Sequence, residues 1–175
     1  MPSFALAAIG RDRPGIVAAV AKVLYEQGCN VEDSSMTLLR GNFSMMLVVA
    51  APEGTTASAL GAALAPAGKD MGLTYAVLDV EDTADVPHPS HALTVYGADK
   101  PGILYRVTEV LSQAGVNITD VNSRLVGADT PVYALLLELA VPAGLAIGDL
   151  ERRLTQTAAE IGVDIALNVR EDDIL

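Results

Sequence analysis

Tryptophan is absent from the chain, and cysteine occurs once, at Cys29. A single thiol excludes an intrachain disulfide framework and a thiolate metal cluster. Aromatic residues make up only 4% of the chain, so its core must be built from Val, Leu, Ile, Ala and Met. The two histidines, His88 and His91, fall together in a proline-containing stretch. A Ser/His/Asp set there would lack a base on an ordered element. The H-x-x-H spacing, without a further histidine, is a poor metal site. No nucleophile–base pair or cofactor motif is visible, so neither catalysis nor a cofactor is expected. Gly10/Gly15 and Gly97/Gly102 do not have the spacing of a dinucleotide fingerprint.

Basic residues are also scarce, 11 Lys and Arg against 22 Asp and Glu, for a net charge of −11. Residues 1–80 carry −2 and residues 91–169 carry −4. No segment could replace the counterions of a polyanion, which argues against direct binding to nucleic acid or an anionic membrane. No run approaches the roughly 20 apolar residues of a membrane span. The apolar stretch Phe4–Ile9 is too short, and lacks the basic flank, for a signal peptide. A cytoplasmic protein is the expectation.

What the chain does contain is a repeat. Gly10-Arg11-Asp12-Arg13-Pro14-Gly15-Ile16-Val17 recurs as Gly97-Ala98-Asp99-Lys100-Pro101-Gly102-Ile103-Leu104. The offset of 87 holds through Asp33/Asp120, with eleven of 24 aligned positions identical. A three-residue insertion around 128–130 then moves the offset to 90, where Phe43 meets Tyr133 and Pro52 meets Pro142. Register kept over that length is a duplication.

Each copy reads as strand, helix, two strands, helix, strand. Phe4–Ile9 and Ala92–Tyr96 are short apolar runs. Ile16, Val17, Val20, Val23 and Leu24 fall at helical spacing, as do Ile103, Leu104, Val107, Val110 and Leu111. Gly28 and Gly115 follow, where a left-handed helix end favours glycine. Val31–Leu39 is mixed in polarity and Phe43–Ala51 nearly all apolar, an edge strand beside a central one. Thr56–Ala65 reads as a helix with Thr55 or Thr56 at its start and Pro66 as its end or a kink. Leu73–Val80 closes the first copy. Val116–Leu125, Val132–Val141, Ile147–Ile161 and Asp164–Val169 repeat the pattern. The expected class is α+β, two ferredoxin-like βαββαβ domains with helices on one face of each antiparallel sheet. Their bounds are 1–80 and 91–170, with an acidic linker at 81–90 and an acidic tail at 171–175. Strands apolar at both parities imply that the open sheet faces are covered, and a homodimer is the expectation.

The D-x-P-G turn leads into a helix start, where backbone N–H groups and the helix dipole can receive a carboxylate. Asp12 and Asp99 at that turn have an alternative role as helix caps. Asn30 and Asn117 open the next strand and offer a donor and an acceptor to a zwitterion, or a local turn bond. Cys29 reads as a small buried filler and Arg152-Arg153 as a solvated helix face.

The D-x-P-G-I turn, the helix stripe and the following G-x-N-[VI]-x-D resemble the ACT domain, once per half. The tandem, free-standing form is similar to the glycine-cleavage-repressor branch of that family. The resemblance implies amino acid binding where two domains meet, through Asp12, Gly15, Ile16 and Asn30 and through Asp99, Gly102, Ile103 and Asn117. It further implies a regulatory protein that binds an amino acid, glycine being one candidate, and acts through a transcriptional-regulator partner. A ligand-independent interaction module is the competing expectation.

Overall fold

In the computed structural model, which describes residues 1–80, 87–127 and 131–170, the chain divides into two units, Met1–Thr83 and Ala84–Leu175. Most of the expected linker, the inserted residues 128–130 and the acidic tail lie outside the described residues. Of the linker, Pro87–Ser90 is described. Ser90 is tied to the second unit by its N–H to the Leu139 carbonyl at 2.8 Å and by the Arg170 N–H to its own carbonyl at 2.9 Å.

The first unit runs β1 (Ser3–Arg11), α1 (Ile16–Glu26), β2 (Asn30–Leu39), β3 (Asn42–Ala50), α2 (Ala57–Met71) and β4 (Leu73–Val80). The second runs β5 (His91–Ala98), α3 (Ile103–Gln113), β6 (Asn117–Val126), β7 (Val132–Ala140), α4 (Ile147–Ile161) and β8 (Val163–Val169). The sheet orders are β2-β3-β1-β4 and β6-β7-β5-β8, antiparallel at every pairing. Both units are ferredoxin-like βαββαβ folds. The mixed strand β2 is the edge and the apolar β3 lies inside, as their polarity implied.

Period-two alternation builds one core per unit. Phe4, Leu6 and Ala8 of β1 meet Ile16, Val20 and Leu24 of α1 and Leu60 and Leu64 of α2. In the second unit Leu93 and Val95 meet Ile103, Val107, Leu111, Leu150 and Leu154. Each fully buried aliphatic side chain contributes about 1.5–3 kcal/mol relative to exposure. The opposite face of the first sheet is apolar and bare in part, with Ile9, Met46 and Leu78 all more than half exposed.

Two expectations needed correction. The helix does not end at Pro66, one of the two roles expected of that residue, but continues to Met71 and stops at Gly72, which is left-handed. Pro66 and Ala62 both face solvent, so the carbonyl that loses its helical partner can be hydrated. At the helix start, Thr56 is the cap, its Oγ1 accepting from the Ala59 N–H at 3.2 Å. The capping role weighed for Asp12 and Asp99 is also not realised. The caps are Gly15 and Gly102, with no side-chain hydrogen bond at either helix start.

The edge strands β2 and β6 carry an irregularity at the same place in the repeat, between Val31 and Asp33 and between Ile118 and Asp120. Such a bulge on an edge disrupts the flat row of N–H and C=O groups that would otherwise invite uncontrolled pairing.

Candidate functional site

Gly15 and Gly102 both adopt φ 95° and ψ −6°, a conformation that a Cβ would strain. The chain thereby turns from β1 directly into α1, and from β5 into α3. The first backbone bonds of these helices are Ala19 N–H to the Gly15 carbonyl and Arg106 N–H to the Gly102 carbonyl, each 2.9 Å. The N–H groups of Ile16, Val17 and Ala18, and of Ile103, Leu104 and Tyr105, precede those bonds. They are the donors every helix start leaves without intrahelical partners.

Asp12, Gly15 and Asn30 are exposed, as are Asp99, Gly102 and Asn117. Ile16 and Ile103 are buried in the two cores, so only their backbone N–H groups are offered to a ligand. The Asp12 N–H donates to the Gly41 carbonyl at 3.0 Å, which holds the turn against the β2–β3 hairpin. Arg13 donates to the Asp70 carbonyl at 3.3 Å, at the C-terminal end of α2, where the helix dipole favours a cation. Lys100 lies at the matching end of α4, its Nζ 3.5 Å from where a Cβ on Gly162 would stand. In the sequence this pair stands out as a departure between the copies, Arg13 against Lys100, without a role assigned to either. A basic residue at the same offset in both copies was the available signal.

Strand register decides which of these residues can share a ligand. Arg11 pairs with Asn42 and Asn42 with Leu39, whereas Ser3 pairs with Ala50 and Ala50 with Asn30. Asn30 therefore lies at the opposite end of the sheet from the Asp12–Gly15 turn. At 3.3 Å per residue along the nine-residue β1, the separation is about 26 Å. In the second unit Asn117 pairs with Ala140, while Ala98 and Val126 both pair with Val132 at the far end. One amino acid cannot touch the turn and the strand-opening asparagine of the same unit.

Burial pushes the Cys29 thiol up, which disfavours the reactive thiolate. His91 Nδ1 lies 2.9 Å from Ser90 Oγ. Among the described residues, no three side chains of metal-ligating type gather.

Two βαββαβ units, each with a helix start behind a left-handed glycine, define a tandem protein of the regulatory-domain class. The chain belongs to the ACT domain family, whose model matches residues 4–77 and 92–168. It is 24% identical over 171 residues to the glycine cleavage system transcriptional repressor of Escherichia coli, covering 94% of this chain and 88% of that protein. It is 30% identical over 161 residues to the phosphoserine phosphatase SerB2 of Mycobacterium tuberculosis, covering 90% of this chain. The chain spans only 38% of the phosphatase's length. A solved structure of an unknown protein from Galdieria sulphuraria superposes with a TM-score of 0.82 at 27% identity, over 97% of this chain and 99% of that one. No helix of the described residues is long and apolar enough to cross a membrane.

Proposed function

We propose that this chain is a non-catalytic, amino-acid-binding regulator that acts in the cytoplasm by changing its contacts with a second protein. The observation that carries the reading is the exposed helix start repeated in both units, with backbone donors presented beside Asp12 and Asp99. Three N–H groups and a helix dipole suit a carboxylate, while an aspartate suits an ammonium. A zwitterion supplies both charges at once. Glycine is the first candidate, and a transcriptional regulator the first candidate partner, because the E. coli relative is a glycine cleavage system transcriptional repressor.

The register argument shapes the rest of the proposal. A ligand held by the turn of one ACT unit meets a strand-opening asparagine only if another unit supplies it. We assign that role to a second copy of the chain, so Asp12, Gly15, Ile16 and Asn30, with Asp99, Gly102, Ile103 and Asn117, act across a homodimer. Ligand binding then favours one packing of the units over another through differential affinity. Calorimetry against the twenty amino acids, with sedimentation in parallel, tests the reading. Saturable binding that is lost in Asp12→Ala/Asp99→Ala supports it. Absence of binding at millimolar amino acid sinks it and leaves the ligand-independent interaction module, which the bare apolar face of the first sheet favours.

A further inference from the structure

The two copies differ on the sheet faces turned away from their helices. In the second unit, Tyr96, Ala134 and Arg124 form one row across three strands, since Ala134 pairs with both of the others. Leu93 and Val95 of β5 point into the helix-covered core, so alternation turns Tyr96 to the open face. Ala134 ends at its Cβ while its neighbours on either side are long. The result is a hollow of about 370 Å³. That is room for about twelve waters and falls within the usual range of small-molecule sites.

Its walls are chemically mixed. Leu136 and Val126 supply apolar surface, and both are more than two-fifths exposed. Asn122 donates through Nδ2 to Asp120 Oδ2 at 2.6 Å, so its carbonyl oxygen is what the amide has left for a ligand. Among the described residues Arg124 forms no ion pair, whereas Arg106, Arg152 and Arg170 each hold a carboxylate. Like Arg11, Arg40 and Arg153, it has no carboxylate partner among the described residues.

The corresponding row of the first unit is Ile9, Ser44 and Thr37, without a cation or a phenol. The first sheet has a smaller hollow of about 110 Å³ nearer Val48, with no basic residue lining it. Of the two copies, only the second carries this set.

We propose that the hollow over Ala134 binds a small organic carboxylate, its carboxylate on Arg124 and its apolar body against Leu136 and Val126. The site is separate from the turn at Asp99–Gly102, which leads into α3 on the other face of the sheet. Arg124 supplies paired N–H donors that match a carboxylate. Tyr96 lines the hollow and provides an aromatic wall.

Protein-observed NMR of the full chain with 3-phenylpropanoate as probe tests this, with 3-phenylpropanamide as the uncharged control. The expected result is saturable shifts at Val126, Ala134 and Leu136. Affinity should fall by at least about tenfold for the amide and for Arg124→Gln, the loss expected for a charge-assisted hydrogen bond. Ala134→Leu fills the hollow while keeping the guanidinium, and should abolish the shifts. The proposal is overturned by absence of shifts at about 10 mM probe, a concentration that reveals even millimolar affinity. Binding that survives Arg124→Gln or Ala134→Leu in a folded variant overturns it equally.

Discussion

Gly10 approaches Gly72 so closely that a Cβ on Gly10 would stand 2.5 Å from the Gly72 carbonyl oxygen. The same added atom would be 2.7 Å from a Leu73 methyl. Gly97 repeats the arrangement, with a Cβ there falling 2.6 Å from a Val163 methyl. In both units this approach lets the last strand pass beside the end of the first, just before the candidate turn. Gly10→Ala should therefore destabilise the first unit by about 1–3 kcal/mol, the usual cost of overpacking. Gly97→Ala should cost less, because a valine side chain yields more readily than a backbone carbonyl. Denaturant melts of the two variants check the order, and equal stability to the parent would refute the contact.

The helix starts make a second, opposite pair of predictions. Neither Asp12 nor Asp99 caps a helix, so Asp12→Asn and Asp99→Asn should change stability by no more than about 0.5 kcal/mol. Gly15→Ala forces a Cβ onto a backbone at φ 95° and should cost about 1–2 kcal/mol. Thermal melts read both. A large loss in the aspartate variants would restore the capping role and weaken the case for a ligand at the turn.

These results mark where the sequence was legible. The offset of 87 carried the duplication, and the contrast in polarity between β2 and β3 carried the edge position of β2, because each depends on local pattern. Asp12 beside a helix start invited a capping role, but φ at Gly15 belongs to the backbone and no residue pattern shows it. The row of Tyr96, Ala134 and Arg124 was equally hidden. It depends on the register of three strands, and the insertion at 128–130 shifts the offset between two of its members. The distance between Asn30 and the turn is also a matter of register. The two belong to one motif in sequence and to opposite ends of the sheet in space.

Tyr75 yields a prediction with a definite sign in pH. Its ring packs beneath α2 where Gly68 leaves room, a Cβ there being 2.7 Å from Cε2, and its hydroxyl is buried without a partner among the described residues. Burial pushes the phenol above the ordinary tyrosine range. A group whose folded pKa is raised contributes stability that is present below the unfolded value, about 10, and lost as pH rises through the folded value. The parent should thus lose stability above about pH 10 more steeply than Tyr75→Phe. At neutral pH the phenylalanine variant should be as stable or up to about 1 kcal/mol more stable, since it removes an unsatisfied buried hydroxyl. Parallel urea titrations at neutral and alkaline pH distinguish the two effects.

Pro66 offers the last test, because two opposing effects meet at one residue. Inside α2 it removes an N–H that would bond to the Ala62 carbonyl, and interior prolines cost about 3 kcal/mol relative to alanine. Its ring also restricts the unfolded chain, which returns about 0.4–1 kcal/mol in its favour. Hydration of the exposed Ala62 carbonyl lowers the penalty further. The helix interior should still win, so Pro66→Ala should stabilise the first unit by about 1 kcal/mol or more. The added stability should come with slower amide exchange along Ala62–Met71. If the variant is no more stable and exchange is unchanged, α2 is already relaxed around its proline, and the ring's effect on the unfolded chain is the larger of the two.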